Sequence, residues 1–369
     1  MISDVSFPRV NGVSTSIATF RRDLHALGHR TLLIAPAYPG QSMADDPDTL
    51  RIVSHAVPRD PEDRLMSRSV ILKLLPRLVD AELDLVHIQT PFTAHYAGIE
   101  IERRLGLPVV ESYHTYFEHY LQHYVPLLPA RWLRALSRRF TVRQCSAVDA
   151  IIAPSEPMAA VLRGYGVRTP IHVIPTGLGV ESFRAGDAAR FRAIERIEDR
   201  PLALYVGRVA YEKNIEFLLD MLEPLRRRVP NVLLMIAGQG PAEAHLKAEV
   251  ARRGLGAHVR FIGYLDRDSA LLDCYRAADV FVFASRTETQ GLVLLEALAQ
   301  GTPVVSTAVM GTAEVLAGTE GALIAPEDAA VFAAAVAQVL ENRELRERLS
   351  RAAVRDAARW SSERCAQRV

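Results

Sequence analysis

A buried strand followed at once by a glycine turn and an apolar helix constrains this chain more than any other stretch. Residues 280–284 read VFVFA, a short uncharged run that is typical of a strand inside a parallel sheet. Residues 285–301 read SRTETQGLVLLEALAQG, where Gly291 lets the backbone turn and Leu292 begins an apolar helical face. The pattern predicts one unit of a doubly wound α/β sheet.

Two acids of this stretch are candidates for ligand binding. Glu288 follows the strand directly, and Glu296 interrupts the apolar run of the helix. Ligands of open α/β sheets bind beyond the carboxyl ends of the strands, so both carboxylates are expected at a crevice. The helix amino end at Gly291 offers N–H groups that suit a phosphate. A structural alternative stays open, in which Glu288 caps the helix and Glu296 lies on a solvated face.

Length and composition set the outer limits. A chain of 369 residues with 49% apolar residues predicts two domains, each with its own core. The formal net charge of +1 argues against a general nucleic-acid binder. The three scattered cysteines predict reduced thiols, and neither a signal peptide nor a long apolar run is found. We therefore expect a cytoplasmic protein that does not span a membrane.

The first half alternates strands and helices. Strands are predicted near residues 31–35, 85–88, 109–113, 150–153 and 172–174. The opening strand at Met1 is short, so we expect the natural chain to begin a few residues earlier. After it, a turn at Gly12 and Val13 feeds a helix over about 13–27, with Ser14 among the possible caps; this helix end could face an anion or form an ordinary loop. His114 follows the strand at 109–113 and could bind a substrate hydroxyl or be structural.

A basic segment lies between these strands. Residues 119–148 hold five arginines and no acid. In helical register Trp132, Leu133, Leu136 and Phe140 share one face, with the arginines on the flanks. Such a helix fits an anionic membrane surface, where five basic residues could contribute at most about 5 kcal/mol. The alternative is a surface helix packed on the sheet. Tyr116, Tyr120 and Tyr124 precede it as an aromatic approach to His114.

A second alternation follows a polar stretch at residues 181–200, which we interpret as the linker. Arg208 and Lys213 come after its first strand, and Asn214 is expected to cap the next helix. Two cations there could balance a nucleotide diphosphate without a metal, or could be surface charges in a helix cap. The pairs Asp46/Asp48 and Asp266/Asp268 are interpreted as caps, so no metal site and no cofactor are predicted.

Seven motifs in order then resemble one known family. FPRVNGVSTS, SYHTY, VIPTGLGVESF, VGRVAYEKN, AGQGP, FIGYL and SRTETQGLVLLEALAQGTPVV are similar to those of the retaining GT-B glycosyltransferases of family four. The resemblance spans nearly the whole chain. It implies two Rossmann-like doubly wound domains facing across a cleft. They would cover residues 1–176, which bind acceptor, and 177–356, which bind donor, and a final helix at about 357–369 would return to the first domain.

The resemblance also implies residue roles. Arg208 and Lys213 would hold the donor diphosphate, Glu296 the ribose hydroxyls and Glu288 the donor sugar, while His114 would touch the sugar near its reacting carbon. The implied catalytic set is His114, Arg208, Lys213 and Glu288. The implied donor-binding set is Gly12, Val13, Arg208, Lys213, Gly238, Gly263, Tyr264, Glu288, Gly291, Leu292 and Glu296.

Among members of that family, the basic segment is most similar to bacterial transferases that glycosylate diacylglycerol. The membrane and acceptor set is Tyr116, Tyr120, Tyr124, Arg131, Trp132, Arg134, Arg138 and Arg139. The leading hypothesis is transfer of glucose from UDP-glucose, with retention, to a lipid on the inner face of the membrane. Alternatives are a soluble sugar or phosphosugar acceptor, mannosyl transfer from GDP-mannose, a nucleotide-sugar epimerase and a non-catalytic sensor.

Overall fold

The chain forms two compact units. The computed structural model describes residues 1–9, 11–39, 46–57, 60–114, 116, 130–267 and 269–366. Dense internal contacts define one unit as Met1–Thr176 and the other as Gly177–Arg368. Residues 357–366 thus group with the second unit, whereas the family resemblance implied a return of residues 357–369 to the first. Reciprocal backbone hydrogen bonds explain the grouping, since Leu178 donates to Trp360 at 2.7 Å and Ser362 donates to Leu178 at 2.8 Å.

The first unit contains a parallel sheet with a small antiparallel hairpin beside it in sequence. Its strands are β1 (Leu33–Pro36), β2 (Thr49–Ile52), β3 (Ser54–Val57), β4 (Asp60–Met66), β5 (Val86–Ile88), β6 (Val109–Ser112), β7 (Ala150–Ala153) and β8 (Ile171–Val173). Ile2 pairs in parallel with both Ile34 of β1 and Ile88 of β5. The parallel order is therefore β2, β1, the segment at Ile2, β5, β6, β7 and β8. The segment at Ile2, where the sequence predicts a short opening strand, is therefore an interior position of this sheet, third of seven.

The helices of the first unit connect these strands. Those described are α1 (Gly12–Ala26), α2 (Arg68–Leu72), α3 (Leu75–Asp80), α4 (Thr93–Leu105), α5 (Ala130–Cys145) and α6 (Glu156–Gly164). Helix α1 begins one residue earlier than the predicted range and is capped by Asn11, whose side chain accepts from the Ser14 N–H at 2.8 Å. The cap is therefore Asn11 and not Ser14, because the asparagine lies one residue before the first helical one.

The second unit is built around a six-stranded parallel sheet. Its strands are β9 (Leu202–Val206), β10 (Leu233–Ala237), β11 (Val259–Gly263), β12 (Val280–Phe283), β13 (Val304–Ser306) and β14 (Ala322–Ile324). They are ordered β11, β10, β9, β12, β13, β14. All residues of β9, β10 and β12 are buried, as expected for strands covered on both faces. The strand with which the sequence analysis begins, at residues 280–284, is thus the central strand β12.

Helices cover the second sheet. They are α7 (Ala188–Ile194), α8 (Ile215–Arg228), α9 (Glu243–Arg252), α10 (Ala270–Ala277), α11 (Leu292–Ala299), α12 (Gly311–Leu316), α13 (Ala329–Glu341), α14 (Arg343–Ala357) and α15 (Ser362–Ala366). Short 3-10 turns at Val180–Phe183, Tyr211–Lys213 and Ala358–Trp360 join some of them. The buried strand residues and the inner faces of these helices form one continuous apolar core.

The polar stretch interpreted as a linker is an ordered part of the second unit. Phe191 of α7 is buried, and Arg190 pairs with the buried carboxylate of Asp273 at 2.5 Å. The Gln300 side chain makes three hydrogen bonds to this stretch: it accepts from the Gly186 N–H and donates to the carbonyls of Ser182 and Arg184. Charged and polar residues of this stretch thus contact the rest of the second unit, and the interpretation of residues 181–200 as a linker is wrong.

Candidate functional site

The strand order of the second unit reverses between β9 and β12, and charged side chains flank that point. Chain order runs outward from β9 through β10 and β11 on one side, and through β12, β13 and β14 on the other. Such a reversal opens a crevice at the carboxyl ends of the two strands. Lys213 follows β9 and Glu288 follows β12, and Nζ of Lys213 lies 2.6 Å from Oε2 of Glu288. Both side chains keep about a fifth of their surface exposed (19% and 21%).

The carboxyl ends of these strands and the loops that follow them form one edge of the sheet. Backbone hydrogen bonds join the loops of this edge to one another. Gly238 donates to the Gly263 carbonyl at 2.7 Å, and Val209 donates to the Gln239 carbonyl at 2.9 Å. A Cβ on Gly238 would lie 2.0 Å from the Gly207 carbonyl oxygen, so no larger residue fits. Gly238, which the sequence analysis assigns to the donor-binding set, therefore lies at this edge. Its contacts show that the lack of a side chain permits the two loops to pack closely.

Arg208 and Tyr205 belong to the same edge. The fully buried Tyr205 hydroxyl donates to the Arg208 carbonyl at 3.1 Å, which fixes the backbone directly after β9. Burial raises the pKa of Tyr205 well above its ordinary value, so the phenol remains a donor. The Arg208 side chain is partly buried, and Lys213 follows it in the same connection between β9 and α8. The structure thus places the two predicted phosphate-binding cations on the single turn that leaves β9.

Glu296 is buried, and each of its two carboxylate oxygens accepts one hydrogen bond from a described residue. The side chain lies on α11 at 5% exposure, which excludes the solvated-face alternative. Oε1 accepts from the Arg267 guanidinium, and Oε2 accepts from the Tyr275 hydroxyl at 2.9 Å. Neither partner was identified from the sequence, because both come from the segment between β11 and β12 and no pattern links that segment to α11.

The amino end of α11 completes this edge. Gly291 is the N-cap residue with φ of 101°, a left-handed conformation that favours glycine, and no side chain caps the helix. Leu292 is the first helical residue. Glu288 therefore does not cap this helix; its carbonyl accepts from the Gly311 N–H at 2.9 Å while its carboxylate meets Lys213. The edge joins a cation, a carboxylate and helical N–H groups.

Two further predictions at this edge have different outcomes. Asn214 occupies the N-cap position of α8, but its side chain donates to the Ala284 carbonyl at 3.2 Å and does not cap the helix. It lies at φ of 57°, and the hydrogen bond ties the β9 turn to the end of β12. Gly263 ends β11 with φ of 69°, and Tyr264 follows with its side chain 42% exposed. The backbone predicted to meet the base is thus at the edge.

The first unit has its own reversal point, between the segment at Ile2 and β5. Asp4 follows the first and Thr90 follows the second, and Thr90 Oγ1 donates to Asp4 Oδ2 at 2.8 Å. Asp4 also accepts from the Ala94 N–H in the first turn of α4. Burial raises the pKa of Asp4 to about 6. Asp4 was not singled out from the sequence, although its place directly after a strand was a usable signal.

Gly12 and Val13 are the first two residues of α1, the helix that follows the segment at Ile2 in sequence. Gly12 is exposed, and a Cβ built on it would meet no atom within 4 Å. The position therefore leaves open space at the amino end of a helix of 15 residues, which is where helical N–H groups favour an anion.

His114 lies one strand further along the same sheet. Its Nε2 is 3.0 Å from Oε1 of Gln89, a buried residue that directly follows β5. Burial lowers the pKa of His114 to about 4, so the imidazole is neutral near neutral pH. A neutral imidazole donates to Gln89 through Nε2–H, which fixes its tautomer. His114 suits hydrogen bonding to a polar ligand and does not supply a positive charge.

Comparison with known proteins gives the two units a family. Residues 187–356 match the family described as Glycosyl transferases group 1, and residues 10–182 match Glycosyltransferase Family 4. The α-monoglucosyldiacylglycerol synthase of Streptococcus pneumoniae is 33% identical over 83% of this chain and 70% of its own. The chain belongs to the family 4 glycosyltransferases. The family resemblance found in the sequence is confirmed.

Other relatives of this glycosyltransferase differ in their named donors and products. The α-monoglucosyldiacylglycerol synthase of Acholeplasma laidlawii is 25% identical over 83% of this chain and 79% of its own. A GDP-mannose-dependent α-mannosyltransferase of Mycobacterium tuberculosis is 28% identical over 88% of this chain and 83% of its own. The chain itself is a nucleotide-sugar-dependent hexosyltransferase.

Solved structures support the fold of the glycosyltransferase. A sucrose-phosphate synthase from Thermosynechococcus elongatus superposes with a TM-score of 0.77 at 22% identity, over 97% of this chain and 92% of that one. Anabaena Alr3699/HepE in complex with UDP and glucose gives 0.79 at 16% identity, over 99% and 96%. The predicted α/β fold of GT-B type, with two Rossmann-like units, is confirmed.

Helix α5 of the glycosyltransferase is amphipathic in a different way from the prediction. Leu133 is buried at 4% exposure, whereas Trp132 and Leu136 are 64% and 60% exposed. The residues predicted to share one apolar face therefore divide into buried and exposed ones. Polar residues occupy the inner face instead: Thr141 bonds the Tyr113 hydroxyl at 2.9 Å, and Gln144 donates to the Pro91 carbonyl. These hydrogen bonds satisfy buried polar groups and leave two large apolar side chains outside.

The arginines of α5 surround those exposed apolar residues. The exposed set is Arg131, Arg134, Arg138, Arg139 and Arg143. Arg138 lies over the Tyr165 ring at 5.1 Å from its centroid. Tyr116 is partly buried, while Tyr120 and Tyr124 lie outside the described residues. None of the helices described is both long and apolar enough to cross a bilayer.

Proposed function

We propose that this glycosyltransferase moves glucose from UDP-glucose to a lipid hydroxyl, such as that of diacylglycerol, with retention of the anomeric configuration. It would act as a peripheral enzyme on the cytoplasmic face of the membrane. The observation that carries the proposal is the meeting of Lys213 and Glu288 at the reversal point of the second sheet. The named products of the two synthase relatives support the choice of acceptor.

The charged edge of the second unit supports the donor half of the proposal. Arg208 and Lys213 would hold the diphosphate, whose charge grows as the sugar leaves. Glu288 would then exchange part of its contact with Lys213 for a sugar hydroxyl, and Glu296 would bind the ribose. Cations and helical N–H groups near Gly291 supply positive potential, so a divalent ion is not required.

The neutral imidazole of His114 supports a role for this residue in sugar binding. With its Nε2–H donated to Gln89 at 3.0 Å, the desolvated ring can accept one oriented hydrogen bond from a hydroxyl. It would place the sugar without competing with the cations for the phosphate. In front-side transfer the departing phosphate takes the acceptor proton, which leaves His114 a positioning contact at the reacting sugar.

The exposed surface of α5 supports a membrane acceptor. Trp132 and Leu136 can enter the interface between headgroups and acyl chains, where tryptophan is favoured. The five surrounding arginines add attraction of about 1 kcal/mol each near anionic lipid, enough for reversible docking. A purely soluble acceptor would leave these two exposed apolar residues without a role.

The direct test is transfer in a defined system. The protein is incubated with radiolabelled UDP-glucose and vesicles of phosphatidylglycerol containing diacylglycerol, and the lipid fraction is analysed for an α-linked glucolipid. Labelled glucolipid is expected. Vesicles that stay unlabelled while a soluble sugar or phosphosugar acceptor becomes labelled would overturn the lipid acceptor.

The second candidate donor is GDP-mannose. It is favoured by the mannosyltransferase relative, which covers 88% of this chain. Thermal shift with UDP-glucose, GDP-mannose and UDP-N-acetylglucosamine separates the candidates, because the bound donor raises the melting temperature. The largest shift is expected with UDP-glucose. Turnover of UDP-N-acetylglucosamine without an acceptor would indicate an epimerase, and tight binding without turnover a sensor.

Membrane docking is tested by flotation with phosphatidylglycerol vesicles. Replacing both Trp132 and Leu136 by serine should lower the floated fraction at least about tenfold, because burial of these side chains contributes roughly 1.5–3 kcal/mol each. Val180→Ser is the matched control, since Val180 is 78% exposed but lies in the other unit. Equal flotation of all variants would contradict the role of α5.

A further inference from the structure

Tyr275 carries a buried hydroxyl whose only described partner for donation is a functional carboxylate. The residue lies on α10 at 0% exposure, and its ring packs against Phe281 at 5.8 Å between centroids. Its hydroxyl donates to Oε2 of Glu296 at 2.9 Å. A phenylalanine would serve the same packing without a polar group to satisfy, so the hydroxyl calls for a separate explanation.

The hydroxyl remains a donor under all ordinary conditions. Burial, and then the charge of Glu296, raise the pKa of Tyr275 well above its usual value. The phenol therefore keeps its proton and holds one carboxylate oxygen from inside the core. Arg267, whose side chain is 27% exposed, approaches the other oxygen from the more open side. The two donors fix the rotation of the carboxylate.

The remaining acceptor capacity of Glu296 matches a diol. An ionised carboxylate has about four lone-pair sites. Tyr275 and Arg267 use one each, so two remain, one on each oxygen. A ribose presents two neighbouring hydroxyl donors, and a carboxylate held in one rotation can accept from both at once. A carboxylate free to rotate would lose part of that affinity to ordering.

We propose that Tyr275 is a positioning residue for the nucleotide: its hydroxyl holds Glu296 so that both carboxylate oxygens face the two ribose hydroxyls of the donor. This inference rests on the proposed role of Glu296 in the donor site. Tyr275 itself does not touch the ligand. Its contribution therefore depends on the ribose hydroxyls being present, which separates it from a residue that only supports the fold.

The test measures binding of UDP and of 2′,3′-dideoxy-UDP by calorimetry to wild-type protein, Tyr275→Phe and Glu296→Gln. Tyr275→Phe should weaken UDP about tenfold and leave dideoxy-UDP within about twofold, because the hydrogen bond to a charged group acts only through the hydroxyls. In transfer assays KM for the donor should rise about tenfold with kcat changed less than about threefold.

Thr302→Val is the matched control. The Thr302 hydroxyl is buried and donates to the Tyr275 carbonyl at 2.6 Å, so its loss perturbs the same tyrosine without touching the Glu296 contact. Both ligands should bind this variant within about twofold of wild type, although its melting temperature falls.

Two results would overturn the inference in different ways. If Tyr275→Phe weakens both ligands equally, or neither, the hydroxyl does not act through the ribose, and the donor site stands without it. If wild-type protein binds UDP and dideoxy-UDP equally and Glu296→Gln has no effect, Glu296 does not hold the ribose, and the proposed donor site fails together with this inference.

Discussion

The two units of the chain place different chemistry at the carboxyl ends of their strands. In the second unit the reversal point carries a partly exposed ion pair, Lys213 with Glu288. In the first unit the reversal point carries Asp4, which accepts from Thr90 and from the Ala94 N–H. One strand further along lies His114, whose imidazole is neutral near pH 7 because its pKa is lowered to about 4. Similar sheets thus place an ion pair at one edge and a neutral imidazole at the other.

The difference teaches how each edge can treat a ligand. A partly exposed ion pair can exchange partners with a diphosphate and a sugar, since the solvent and the ligand both reach it. A desolvated, uncharged imidazole such as that of His114 suits an uncharged hydroxyl, because an added charge beside it would lack solvation. The same topology therefore allows one unit to hold an anion and the other to hold a neutral sugar or alcohol.

Breaking the charged edge should have the largest effect. Lys213→Ala and Glu288→Ala are each expected to lower kcat/KM for transfer by about 10³-fold, since each removes a charged contact to the diphosphate or to the sugar in the proposed donor site. Initial rates with labelled UDP-glucose measure the loss, and circular dichroism checks that the fold is retained.

The control for that prediction is a second lysine in an ion pair. Lys247 pairs with Glu243 at 2.7 Å on the exposed surface of α9. Lys247→Ala should leave kcat/KM within about twofold of wild type, because exposed ion pairs contribute little. Normal turnover by Lys213→Ala or Glu288→Ala would show that the charged edge is not the donor site.

The buried histidines of the first unit should make it sensitive to acid. Burial lowers the pKa of His87 to about 3 and that of His114 to about 4. The unfolded chain binds protons that the folded chain excludes, so stability falls as pH decreases below about 6.5. Between pH 7 and 5 each imidazole should remove about 2 kcal/mol, and Asp4, whose pKa is raised, should return about 1 kcal/mol.

Urea unfolding of wild-type protein and His87→Gln at several pH values measures this dependence. The variant should lose less stability than wild type between pH 7 and 5, by about 2 kcal/mol. Replacing the exposed His29 by glutamine should leave the dependence as it is. Identical pH dependence in all three proteins would contradict the account of a desolvated first edge.

Adding charge to the first edge sharpens the comparison further. Gln89→Glu places a carboxylate beside His114, and the attraction raises the pKa of the imidazole. Transfer should then fall about tenfold between pH 8 and pH 6 relative to wild type, because the protonated ring can no longer accept a hydrogen bond. Gln89→Leu is the control, with a lower rate but an unchanged pH profile. A wild-type profile in Gln89→Glu would indicate that the protonation state of His114 is unimportant.

The smallest effect is expected from removing metal ions. With Arg208, Lys213 and the amino end of α11 as the positive groups, excess EDTA should change the transfer rate by less than about twofold. Rates before and after dialysis against EDTA measure this. Activity that is lost with EDTA and restored by Mg²⁺ or Mn²⁺ would show that the charged edge is incomplete without an ion.

The sequence predicted most of the parallel sheets because buried strands and amphipathic helices have local signatures. It missed β2, the β3 and β4 hairpin, β13 and β14. Strand β4 (DPEDRLM) is rich in charged residues and so lacks an apolar period. It also took residues 181–200 for a linker, since the contacts that order them, such as Arg190 with Asp273, come from more than 80 residues away (|i−j| of 83).

The candidate site divides in the same manner. Glu288, Glu296, Lys213 and His114 were predicted because each follows a strand or interrupts an apolar run. Their partners could not be: Tyr275 reads as a core aromatic, and Gln89 as an ordinary loop residue. For α5 the period of apolar residues did not identify the buried face, since Thr141 and Gln144 lie inward while Trp132 and Leu136 are exposed.

The sequence by itself determined the alternating elements, the glycine turns and the charged residues that follow the strands, because these depend on neighbours within one helical turn or one strand. Only the tertiary structure decided that β9 and β12 lie side by side, that Lys213 meets Glu288, and that Tyr275 holds Glu296. Contacts of this kind join distant parts of the chain, and their geometry is set by the order of strands in the sheet, which no local pattern encodes.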